Sequence, residues 1–183
     1  MSQWRNSFSR RGKVTKTLIG INVLVFLAQI TSGNAVTALL ALYPPNVWST
    51  PWTLLTTGFA HASWIHLALN MYSLWIFGEA IESYVGTRKF LWLYLLSILG
   101  GSIAFVFADP SGIAVGASGG IFGLMGAYFI IMRAMGYRSS QMLVLIALNV
   151  VMGFVNPGIA ISAHIGGLAA GGAVAWYYTK LKR

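Results

Sequence analysis

Apolar residues run along this chain in long blocks, without the polar alternation of a half-buried strand, and short clusters of basic residues, Gly or Pro separate the blocks. A helix needs about 20 predominantly apolar residues to cross roughly 30 Å of hydrocarbon, so blocks of this length read as membrane-crossing helices. Six are expected, at 14–31, 65–85, 90–108, 118–135, 141–155 and 159–179. The fold class that follows is an all-α membrane protein, a six-transmembrane-helix bundle forming one domain over 1–183. A basic segment at 1–13 precedes the first helix, and a long connection occupies 32–64. That connection is too apolar to be simply solvated, with an apolar run at 38–43 and Pro44, Pro45, Trp48, Pro51 and Trp52 after it. It is expected to lie in the membrane interface as an amphipathic or hairpin element, with its aromatic rings at headgroup depth.

Composition agrees with this plan: 57% of the 183 residues are hydrophobic, 8% are charged, and mean hydropathy is +0.72. Soluble domains carry about 25% charged residues. The twelve basic residues also have a pattern. Arg5, Arg10, Arg11, Lys13 and Lys16 lie at the first helix, Arg88 and Lys89 between the second and third, Arg133 and Arg138 between the fourth and fifth, and Lys180, Lys182 and Arg183 at the end. The intervening loops carry none. Because Lys and Arg are retained on the cytoplasmic side of short loops, both termini are expected in the cytoplasm. This accounts for the net charge of +9 without a nucleic-acid partner. The first helix is expected to be retained, since no small-x-small cleavage pattern follows it.

The absence of cysteine excludes disulfide scaffolds, thiolate nucleophiles and Cys-ligated metals. Only three acids are present, Glu79, Glu82 and Asp109, so carboxylate-pair chemistry is hard to assemble. Polar groups inside a membrane are costly and mark cavities or chemistry; here they gather at one side. His61, His66 and Asn70 fall at the entry of the second helix, Ser118 at the entry of the fourth and His164 near that of the sixth. His66 and Asn70, four apart, share a helix face. Ser118 opens a helix within Gly116-Ala117-Ser118-Gly119-Gly120, where its amide points out of the helix N-terminus toward any developing oxyanion. Small residues recur every four positions at Gly119, Gly123 and Ala127 and again at Ala163, Gly167 and Gly171, a spacing that lets two helix backbones approach closely. If those faces meet, Ser118 and His164 come within hydrogen-bond reach as nucleophile and base. His61 could belong to this group or simply mark the interface. A metal site is not expected, because His61 and His66 are five apart and no carboxylate accompanies them. The single Asp rules out an aspartyl membrane protease.

These residues resemble the rhomboid family of intramembrane serine proteases. Gly116-Ala117-Ser118-Gly119 is similar to the family's Gly-x-Ser-Gly nucleophile motif, Ala163-His164-Ile165-Gly166-Gly167 to its Ala-His-x-x-Gly motif, and the stretch from His61 to Asn70 to its His-containing entry to the second helix. The resemblance covers roughly 52–171. It implies a protease without cofactor or metal that cuts transmembrane protein substrates in the bilayer. The small size of the chain leads us to expect a plasma membrane, and the placement of the basic residues an active site opening on its extracytoplasmic side. Ser118 would be nucleophile and His164 general base in a dyad without an acid. Asn70, His66 and the Ser118 amide would form the oxyanion hole; Gly167 and Gly171 would pack helix on helix. Phe122 stands where family members often place a Tyr stacked on the catalytic His. Trp52-Thr53 replaces a Trp-Arg pair common in the outer loop, so Glu82 is expected to find a different partner. A catalytically dead chaperone of the same fold would be free to lose Ser118 or His164, and both are present. A transporter reading lacks the paired broken helices expected of one.

Overall fold

The structure, a computed structural model, describes residues 12–155 and 159–181. Asn156-Pro157-Gly158, Arg5, Arg10, Arg11, Lys182 and Arg183 lie outside the described residues. Each apolar block folds as one helix. The first is α1, Lys13–Thr31. The connection after it contains the short α2, Ala35–Leu40, a 3-10 turn at Pro44–Asn46, the single-turn α3, Thr53–Thr56, and a second 3-10 turn at Thr57–Phe59. Then come α4, Trp64–Val85, α5, Thr87–Ala108, α6, Ser118–Ala134, α7, Ser140–Val155, and α8, Ile161–Lys180. No strand forms among the described residues; Leu42 and Ala114 make an isolated antiparallel bridge.

Local chemistry sets the helix ends. Ser63 caps α4 by accepting the His66 N–H at 3.1 Å. Gly86, at φ +86°, turns the chain between α4 and α5 in one residue, so α5 starts at Thr87, earlier than the block at 90–108 suggests. The N-terminus of α1 is held by Glu82: its carboxylate accepts the Val14 N–H at 3.1 Å, the Thr15 N–H at 2.9 Å and the Thr15 hydroxyl at 2.8 Å. A negative charge at a helix N-terminus is favourable, and this one is buried, with no ion pair to it among the described residues. Among the described residues, the partners of Glu82 are thus the backbone amides of Val14 and Thr15 with the Thr15 and Thr87 hydroxyls.

The central helix is α6, every residue of which from Gly119 to Ala127 is buried. It packs most closely on α8, and α5 closes the group. The main apolar core joins Leu74, Ile81, Phe90, Leu93, Tyr94 and Leu124. Large apolar side chains also remain on the outside, among them Leu24 at 67% exposed, Ile65 at 74% and Phe107 at 84%. Such a belt would be unfavourable in water and suits lipid. Among the described residues Lys13–Thr31 and Thr87–Ala108 have the length and hydropathy of membrane spans, and Ser118–Ala134 is a shorter apolar helix. The connection at 32–64 differs from a single interfacial element. Leu42, Val47 and Thr53 are buried while Trp48 projects, because the bridge to Ala114 and the Thr57 hydroxyl, donating to the Ala114 carbonyl at 2.6 Å, tie it to the coil before α6. Trp52 anchors within the connection, its Nε1 donating to the Leu39 carbonyl at 3.1 Å.

Candidate active site

Ser118 is the first residue of α6 and His164 lies in the first turn of α8, so their approach depends on how closely the two helices pack. Glycines permit that approach. A Cβ on Gly167 would fall 2.0 Å from the Gly119 carbonyl oxygen, and one on Gly171 would fall 2.1 Å from that of Gly123. The two small-residue faces read from the sequence therefore meet. Ser118 Oγ and His164 Nε2 come to 2.9 Å. Phe122, one turn below Ser118, stacks on the imidazole with centroids 4.1 Å apart and planes 12° from parallel. His164 Nδ1 is buried without a hydrogen-bond partner among the described residues.

Around this pair, α4 contributes His66 and Asn70 on one face, as their spacing required. The Asn70 amide donates one hydrogen to the His66 carbonyl at 2.8 Å. The Ala62 N–H reaches His66 Nδ1 at 3.4 Å, which makes Nδ1 the acceptor and leaves the hydrogen on Nε2. That edge of the ring lies against the coil ahead of Ser118: a Cβ on Gly116, at φ +133°, would stand 2.7 Å from His66 Cε1 and 2.9 Å from Nε2. Gly116 is anchored by its N–H to the Thr57 carbonyl at 3.0 Å. His66, Asn70, Ser118, Phe122 and His164 all line one cavity of about 560 Å³ that extends between α4 and α7, past Phe77 and Leu145.

His61 stands apart from that lining. Its buried ring packs edge-on against His66 with centroids 5.1 Å apart, and among the described residues neither ring nitrogen meets a partner in full hydrogen-bond geometry. It lies ahead of α4, where burial and the neighbouring His66 lower its pKa from 6.5 to about 4, the Phe59 carbonyl opposing them. Asp109, at the end of α5, accepts a hydrogen bond from the Ser162 hydroxyl two residues before His164. The sequence reading overlooked that link and also Gln29, whose side chain holds the backbone of His61.

A model of the rhomboid domain matches residues 49–181. The chain belongs to the rhomboid family. With its apolar helices, this makes it a membrane protein. Among relatives of this rhomboid chain, rhomboid protease GluP of Bacillus subtilis (strain 168) is 37% identical over 180 residues, covering 88% of the chain and 34% of that protein. RHOMBOID-like protein 6, mitochondrial, of Arabidopsis thaliana is 38% identical over 127 residues, 66% of the chain and 41% of the relative. RHOMBOID-like protein 5 of the same plant is 36% identical over 129 residues, with shares of 66% and 41%. The rhomboid chain thus spans less than half the length of each of these three relatives.

Proposed function

We propose that this chain is an intramembrane serine protease, hydrolysing peptide bonds in or beside the transmembrane segments of other membrane proteins. In this reading Ser118 is nucleophile, His164 is general base, and all six long helices cross the bilayer. The observation that carries it is the 2.9 Å contact between Ser118 Oγ and His164 Nε2 at the floor of a cavity that also holds His66 and Asn70. Family membership and relatives named as proteases support the same class of activity.

The geometry suits acyl transfer. Neutral His164 with its hydrogen on Nδ1 offers Nε2 to the Ser118 hydroxyl proton as Oγ attacks the substrate carbonyl, and the imidazolium then protonates the leaving amine. Water attacking the acyl-enzyme would lose its proton to Nε2 in turn, restoring Ser118. Three donors face the developing oxyanion: the Ser118 amide at the N-terminus of α6, the second Asn70 amide hydrogen, and His66 Nε2–H. Each such donor contributes about 3 kcal/mol in soluble enzymes. The Lys and Arg residues among the described ones lie at the helix ends remote from this site, which supports an opening on the extracytoplasmic side of a plasma membrane.

The deciding experiment compares wild type with Ser118→Ala, using a transmembrane reporter substrate in liposomes and a fluorophosphonate probe. Cleavage and labelling are expected in the wild type and lost together in the variant. A folded wild type that does neither, or a Ser118→Ala variant that still cleaves, would sink the assignment.

A further inference from the structure

The buried stripe of α1 runs Thr15, Leu18, Asn22, Phe26, Gln29, with polar residues seven apart at Thr15, Asn22 and Gln29. The first binds Glu82 near the cytoplasmic end assigned above, and the last is spent at the site end. Gln29 Oε1 accepts the His61 N–H at 2.9 Å, and Gln29 Nε2 donates to the His61 carbonyl at 3.2 Å. Its second amide hydrogen goes to Thr37 Oγ1 on α2 at 2.8 Å. One side chain thus pairs both backbone groups of a single residue, as a neighbouring strand would, and it is 5% exposed.

His61 is in turn built into the approach to α4. Its ring supports His66 edge-on, and the next two residues hold His66 directly, Ala62 through its N–H to Nδ1 and Ser63 through the helix cap. A continuous series of contacts therefore runs from Gln29 through His61 to the imidazole whose Nε2–H faces the oxyanion. No other side chain bonds the His61 backbone among the described residues. Gln29 also lies outside the stretch matched by the rhomboid domain, 49–181.

We propose that Gln29 is a positioning residue of the active site, acting through the His61 backbone to hold His66 at the oxyanion. This rests on the catalytic reading above. The test measures kcat, KM and fluorophosphonate labelling for the full chain in liposomes, comparing wild type with Gln29→Met, Gln29→Glu and the packing control Phe26→Leu, which sits on the same face of α1. A displaced donor lowers turnover more than binding, so Gln29→Met is expected to lose about tenfold in kcat with KM within about twofold, whereas Phe26→Leu keeps kcat. Gln29→Glu separates positioning from stability. Its carboxylate repels the His61 carbonyl, but once protonated it again offers one acceptor and one donor in the places of the amide groups. The ratio of its kcat to the wild-type value should therefore climb toward one as pH falls.

Taking the ratio removes titrations common to both proteins. The groups concerned are the imidazole of His61, whose backbone Gln29 bonds, the His66 imidazole packed against it, and Asp109 at the site end of α5; Glu79 and Glu82 sit near the far end of α4. A ratio flat in pH, or a Gln29→Met kcat equal to wild type, overturns the proposal. If Gln29→Met fails to fold, Gln29→Glu carries the test by itself. An inactive wild type would sink the protease reading along with this one, whereas an active wild type indifferent to Gln29 sinks only this one.

Discussion

Phe122 stacks on the imidazole of His164, the proposed general base. His164 Nδ1 has no hydrogen-bond partner among the described residues, so the face-to-face ring at 4.1 Å and the Ser118 hydroxyl at Nε2 are the contacts that orient the imidazole. An aromatic pair of this kind contributes about 1 kcal/mol beyond the area it buries. Phe122→Ala is accordingly expected to lower kcat about fivefold or more at nearly constant KM, while Phe122→Tyr stays near wild type. Steady-state kinetics on the transmembrane reporter check this, and an unimpaired Phe122→Ala would remove Phe122 from the machinery. At this scale Ser118, His164, His66 and Asn70 were legible because polar groups are rare in so apolar a chain and share one depth. Gln29 was not, because a Gln near a helix end reads as an interfacial residue until its backbone partner, 32 positions away, is known.

Between elements, the approach of α6 to α8 decides whether Ser118 and His164 can meet. Gly119 faces Gly167 and Gly123 faces Gly171 with room for hydrogen alone, and the obstructing atoms are backbone carbonyls that no rotamer change can move. Gly167→Ala is therefore expected to force the helices apart, with a loss of several kcal/mol in stability and of fluorophosphonate labelling. Gly20→Ala on α1, where a Cβ meets nothing within 4 Å, should be neutral or slightly stabilising. Thermal unfolding in detergent alongside probe labelling distinguishes them; equal melting of both variants would remove the packing argument. The four-residue spacing of small residues made this seam readable. The clasp of Glu82 on the start of α1 was readable only as a missing partner, since the carboxylate finds amides 67 residues away and no local pattern announces that pairing.

For the molecule as a whole, the reading of six spans with both termini cytoplasmic makes a direct prediction. The chain has no native cysteine, so single substitutions report cleanly. In sealed inside-in cells, Ser49→Cys is expected to react with a membrane-impermeant maleimide and Arg138→Cys only after the membrane is opened; the reverse pattern would overturn the orientation. The sequence by itself determined the apolar blocks, the all-helical class, the clustering of basic residues between alternate blocks and the residue types available for chemistry, since each is a property of composition or of spacing along the chain. Tertiary structure decided the rest. The 2.9 Å contact of Ser118 with His164, the burial of Glu82 on helix amides and the hold of Gln29 on His61 all depend on groups far apart in the chain. Helical periodicity specifies the face a side chain takes, and only the packing of helices on one another specifies what that face meets.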